Sequence, residues 1–186
     1  MKDGKAKQQD DGMLRVLDTN VIVSAVISKG KPRELLNRGI ENRFSIVTSD
    51  YILKEIVSVL GRPQFKASEE ETSMIVLALM QSSEVAIVES NFKVIKSDPD
   101  DDMILNTAHD GRADIIATGD KSLLGLRNFR KIKILSVSEP YWANCFYEAY
   151  VTPSHTNESE LNTQEFGYCV QVAPAIFVVA MPSGPV

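Results

Sequence analysis

Apolar and polar positions along the chain alternate between two kinds of segment. Short apolar runs at residues 13–17, 44–47, 85–88, 115–117 and 132–137 have the length of buried strands. Between them, apolar residues recur at helical spacing. Residues 20–27 fit a helix capped by Thr19, although periodicity alone also allows a strand there. Pro32 opens a helix over 32–38 that Gly39 can end. Ser49 caps a helix whose apolar face carries Ile52, Leu53, Ile56, Val59 and Leu60, stopping before Gly61 and Pro63. Ser68 and Glu71 form a capping box ahead of 74–80. A further helix runs from Asp98 and Pro99 to Asp110, stopped by Gly111. Strands alternating with helices predict an α/β fold with a parallel sheet covered by helices on both faces.

Composition narrows the class. With 186 residues, 44% hydrophobic and 24% charged, the chain has the size and make-up of one globular domain. Cys145 and Cys169 stand in no metal-ligand spacing, so neither a zinc site nor a disulfide framework is expected. The longest apolar run, 172–181, is broken by Pro174 and is too short to cross a membrane. The first twelve residues hold no hydrophobic segment of the secretory kind, and a cytoplasmic location is expected.

Charge divides the chain. All 20 Lys and Arg lie before residue 134, balanced there by acids; Glu139, Glu148, Glu158, Glu160 and Glu165 then supply the whole net charge of −5. Eight of the 13 aromatic residues also lie beyond Glu139, which sets a boundary near 138. The expected organisation is a polar, disordered leader over 1–12, a domain over 13–138 and an extension of unassigned role over 139–186. This acidic balance argues against a broad basic face for duplex binding. It leaves room for phosphate held by cations or by a local basic patch such as Arg127, Arg130, Lys131 and Lys133.

The candidate chemistry is acidic. In a parallel α/β sheet, groups at strand C-termini and at the starts of the following helices meet along one edge. Asp18 ends the first strand, Asp120 follows the fourth, Glu55 lies early in the helix entered at Ser49, and Asp101 opens the helix after Asp98. Crowded carboxylates need protons or cations, and an all-oxygen set favours Mg²⁺ or Mn²⁺. Plainer readings stand beside these. Glu55, three residues after Ile52 and four before Val59, can snorkel from the edge of its apolar face. Asp98 and Asp100 read as helix caps, Asp18 as another, and Asp120 as a turn residue. Asp101 shares the face of Ile104, Leu105 and Ala108, with Asp102 turned about 100° away.

The strings RVLDTNVIVSA, SDYILKEIVSVL, SDPDDDMILNTA and ADIIATGDKSLL, in this order, resemble the PIN domain, and in particular VapC-like ribonucleases of toxin–antitoxin systems. The resemblance spans about residues 13–138. It implies a three-layer fold with a central five-stranded parallel sheet, and an Mg²⁺- or Mn²⁺-dependent endoribonuclease acting on single-stranded or structured RNA. It also implies an antitoxin partner and a homodimer. Carried onto this chain, the metal carboxylates fall on Asp18, Glu55, Asp101 and Asp120, with Asp102 a rival to Asp101. Asn20 and Thr118 fall on polar positions that orient the site. The extension from Glu139 matches nothing in the family pattern.

Other enzyme classes lack their residues. Asn20 stands where a haloacid-dehalogenase-type phosphatase needs a second Asp, and no GxxxxGK[ST] or GxGxxG occurs. His109 and His155 are too few for histidine-based catalysis or metal binding. The competing class is a non-catalytic PIN-like scaffold or RNA-binding module.

Overall fold

The structure is a computed structural model that describes residues 12–65, 67–95 and 100–142. Five parallel strands, β1 (Leu14–Leu17), β2 (Ser45–Ser49), β3 (Ser83–Ala86), β4 (Ile115–Thr118) and β6 (Ile132–Ser136), form the sheet. A sixth, β5 (Asn128–Phe129), pairs antiparallel with β6 at the edge, giving the order β3-β2-β1-β4-β6-β5. The five expected strands are therefore present, and the sheet has one more. The β5–β6 hairpin turns through Arg130 and Lys131 without the Asn-Gly or Asp-Gly pair that announces such turns, and a two-residue strand carries no periodicity to read. The same holds for the six-residue helix α6 (Lys121–Leu126), which no pattern predicted.

Five longer helices flank the sheet: α1 (Thr19–Ile27), α2 (Lys31–Ile40), α3 (Asp50–Leu60), α4 (Glu69–Ser82) and α5 (Asp101–Asp110). Helices α1 to α4 pack on one another, while α5 lies against β1 and β2. The Ser68–Glu71 capping box is present, and Ser49 caps α3 as expected. Thr19 is not the cap of α1. Asp18 occupies that position and Thr19 is the first helical residue, its hydroxyl turned to Glu55. Asp98 and Pro99 lie outside the described residues; Asp100 takes the N-cap position of α5 without a side-chain capping bond. Strand β3 begins two positions earlier than its apolar run, with Ser83 paired to Ile46, and it leaves out Ile87, which is 82% exposed.

Two glycines are required by close packing rather than by backbone conformation. Gly39 does not end α2 but lies within it, where a Cβ would stand 2.4 Å from Ile46 Cδ1. Gly111 ends α5 as expected, and a Cβ there would meet Val47 Cγ1 at 2.4 Å. Both let a helix settle onto β2.

The core is aliphatic, built from both faces of β1, β2 and β4 with the inward sides of the helices. It also holds one cation. Arg15 is fully buried, its guanidinium 4.4 Å from the centre of the Phe44 ring and 5.9 Å from that of Trp142. Trp142 is itself buried and donates its indole N–H to Ser136 O at 2.7 Å. Packing of this domain thus continues through Trp142, four residues past the composition boundary. Most of the extension lies outside the described residues. No described helix is long and apolar enough to cross a membrane.

Candidate active site

Strand order decides where a site can form. From β1 the chain moves outward to β2 and β3 on one side, then returns to β4 and β6 on the other. The reversal lies between β1 and β4, and the crevice at their carboxyl ends is the binding position in open parallel sheets. Asp18 follows β1 directly and Thr118 ends β4, so the sequence places its polar residues on both sides of that crevice.

A hydrogen-bond network joins the two sides. Thr118 donates its hydroxyl to Asp18 Oδ2, and Asn20 donates Nδ2 to the same oxygen at 2.7 Å. The other end of the Asn20 amide accepts from Gly119 N at 3.1 Å, and Thr118 Oγ1 accepts from Asp120 N at 2.9 Å. The turn after β1 and the turn after β4 are therefore pinned together through one carboxylate. Asp18 is only 6% exposed. Burial above all, with the charge of Glu55 adding to it, pushes its pKa up from 3.8 to about 6, against the opposing pull of the Thr118 hydrogen bond. Glu55 is partly buried and anchored by Thr19, whose hydroxyl donates to Oε2 at 2.6 Å.

Asp101 and Asp102 are neighbours with different placements. Asp102 is buried, and its Oδ1 accepts from Val94 N and Ile95 N, both at 2.9 Å. That carboxylate secures the segment entering α5. Asp101 is only partly buried, although its Oδ2 is shut off from solvent. Thr107 hydrogen-bonds Ser49 at the end of β2, and Gly111 packs on Val47, so α5 runs opposite to the strands. Asp101, six residues before Thr107, then lies about 9 Å further along the helix, past that edge.

Asp120 does cap a helix: its Oδ1 accepts from Ser122 N at 2.6 Å and Leu123 N at 3.3 Å. The plainer reading of this residue is thus realised, and its backbone N–H is linked to Asp18 through the Thr118 hydroxyl. Among the described residues, no three Asp, Glu, His or Cys side chains converge into a group able to hold a metal ion. The structure brings together Asp18, Asn20, Thr118 and the Asp120 backbone, and it brings the charge of Glu55 to Asp18. It does not close the four carboxylates into one shell.

Sequence reasoning missed two residues that fasten this edge. Thr19 orients Glu55, and the buried Ser49–Thr107 hydroxyl pair, 2.8 Å apart, ties α5 to the end of β2. Thr19 carried a signal, since a hydroxyl beside a strand-terminal Asp is either a cap or a partner. Thr107 carried none.

No curated protein matches the chain. Among solved structures it is similar to the crystal structure of VapBC2 from Rickettsia felis bound to a DNA fragment from their promoter, at 14% identity and a TM-score of 0.46. That match covers 67% of this chain and 98% of the other. The sequence profile described as PIN domain matches residues 15–122, which contain Asp18, Glu55, Asp101 and Asp120. With more than half of its length matched, the chain belongs to the PIN domain family.

Proposed function

We propose that the chain is a divalent-metal-dependent endoribonuclease that hydrolyses RNA phosphodiester bonds. Asp18, Glu55, Asp101 and Asp120 are its metal-holding carboxylates, and Asn20 and Thr118 its positioning residues. One observation carries the reading: in a PIN-family sheet, a buried carboxylate is kept beside a second acid at the strand-order reversal. The donor chemistry fits a hard cation, because every candidate ligand is oxygen and positive charge offsets both the burial and the repulsion acting on Asp18. When bound, Mg²⁺ or Mn²⁺ supplies a water acidic enough to yield hydroxide near neutral pH and a positive charge against the scissile phosphate.

The protein's own part is orientation. Asn20 and Thr118 both hold Oδ2 of Asp18, fixing the plane of that carboxylate. Thr19 does the same for Glu55. Asp120 is held through its N–H and through its capping oxygen, so the turn after β4 is rigid. Asp101 stands in the first turn of α5. The test is cleavage of labelled single-stranded RNA with Mn²⁺ or Mg²⁺, wild type beside Asp18→Asn. Metal-dependent cutting lost in a folded variant supports the reading; equal cutting by both proteins, or none by either across several RNAs, removes it.

A toxin role with an antitoxin partner is proposed on the resemblance of the four motifs, and inhibition of cleavage by the product of an adjacent small gene tests it. A homodimer is proposed likewise; α4 leaves Met74, Leu77 and Met80 about half exposed, a face that such an assembly would cover, and a monomeric mass in solution overturns it. The second reading, a non-catalytic scaffold or RNA-binding module, draws on the absence of a closed group of three acids among the described residues. Calorimetry with Mg²⁺ and Mn²⁺ separates the two, since a scaffold gives no heat that depends on Asp18 and Glu55.

A further inference from the structure

The opposite end of the sheet carries a basic cavity that the nuclease reading does not use. It has a volume of about 410 Å³ and is lined by His109 and Arg112 at the end of α5, Asp114 before β4, and Arg130 and Lys131 in the β5–β6 turn. These residues sit at the starts of β4 and β6, so the four-residue strand β4, about 13 Å long, separates the cavity from Asp18 and Asp120. Arg112, Arg130 and Lys131 form no ion pair with a described residue. The carboxylate in the lining is already engaged, as Asp114 Oδ2 accepts from Leu14 N at 2.9 Å.

Two features distinguish this concavity from a merely solvated surface. One of its cations is held in place: the Arg130 guanidinium lies 4.5 Å from the centre of the Phe92 ring, and Phe92 stands edge-on to His109 with centroids 4.9 Å apart. Moreover, Arg112 and Arg130 have φ of 53° and 54°, backbone that favours Gly or Asn over an arginine. Two turns thus place arginines at positions suited to glycine, and both side chains face the same cavity.

We propose that this cavity is a phosphate-binding site for the backbone of a nucleic-acid strand, distinct from the acidic edge. Arg112 and Lys131 neutralise phosphate oxygens, and the Arg130 plane, stacked on Phe92, supplies fixed donors between them. The site does not depend on the nuclease reading, since a strand is held there whether or not it is cut.

The test is binding of a short labelled single-stranded RNA to the full chain in EDTA, by fluorescence anisotropy across a salt series. Arg112→Gly suits the left-handed backbone it occupies, and Lys131→Gln is a solvent-exposed change, so the double variant is expected to fold with an unchanged circular dichroism spectrum. Its affinity is expected to fall at least about tenfold. The slope of log K against log salt should flatten by about 1.4, the loss of two single-strand phosphate contacts. Unchanged affinity and slope overturn the proposal. Weaker binding with an unchanged slope overturns it too, because phosphate neutralisation is then not what was lost. Inorganic phosphate binding as tightly as RNA overturns the backbone assignment in favour of a free phosphate compound.

Discussion

The two ends of the parallel sheet solve opposite electrostatic problems. At the carboxyl end a negative charge is buried, with Asp18 nearly out of water and Glu55 close enough to raise its pKa. The backbone there is ordinary; the cost is in the charge, and hydrogen bonds from Thr118 and Asn20 offset part of it. At the amino end the cations of the cavity stay exposed and cost little electrostatically, while the backbone beneath Arg112 and Arg130 is strained. A site that grips its ligand through buried acids needs precise side-chain partners. One that uses surface cations needs only turns that aim them.

Removing the buried acid should have the largest effect. Asp18→Asn is expected to lower metal-dependent RNA cleavage on the order of a thousandfold, several kcal/mol of transition-state stabilisation, while the protein stays folded. Initial rates with Mn²⁺ measure it, and a loss below tenfold would make Asp18 peripheral. Next in size is a pH effect. The folded protein binds the Asp18 proton more tightly than the unfolded chain, so the associated stability is full below pH 3.8 and is lost as pH rises through about 6. Asp18→Asn should therefore gain on wild type over that window, by up to about 3 kcal/mol above pH 6. Urea unfolding at pH 4 and pH 7 checks this, and a gain of equal size at both values contradicts it.

Asp102 and Asp101 sharpen the contrast between structural and functional acids. Asp102→Ala strips the partner from two backbone N–H groups and should cost about 2 kcal/mol of stability. Asp101→Ala is expected to change stability by less than half as much, yet to impair cleavage. Chemical denaturation and rate measurements on the same two proteins decide the matter; the reverse pattern would exchange their roles. The smallest effect is expected at the amino end. Arg112→Gly relieves a left-handed residue and should stabilise the fold by up to about 1 kcal/mol, read as a small rise in Tm. A fall in Tm would show that the arginine contributes more to the fold than its backbone costs.

Much of the architecture was readable because it is written locally. A capping box at Ser68 and Glu71, a cap at Ser49 and five short apolar runs each depend on neighbours within a few positions, and each appears in the fold. Errors arose where a local signal had two physical meanings. Thr19 reads as a cap until Glu55, 36 residues away, claims its hydroxyl. Gly39 reads as a stop until β2 packs against it and makes its missing Cβ the reason for its presence. Helix α6 and strand β5 were missed because six and two residues hold too little pattern to separate from a turn.

The sequence by itself determined the alternation of strands and helices, and with it the fact that Asp18 and Asp120 follow strands while Glu55 and Asp101 sit early in helices. Period and capping are near-neighbour properties, so they survive in a linear reading. Only the tertiary structure decided the strand order, and hence that Asp18 and Thr118 face one crevice. It also decided which of two adjacent aspartates holds the segment entering α5. Burial of Asp18, the approach of Glu55 to it and the gathering of Arg112, Arg130 and Lys131 around one cavity depend on residues far apart in the chain, whose meeting is fixed by how the layers pack.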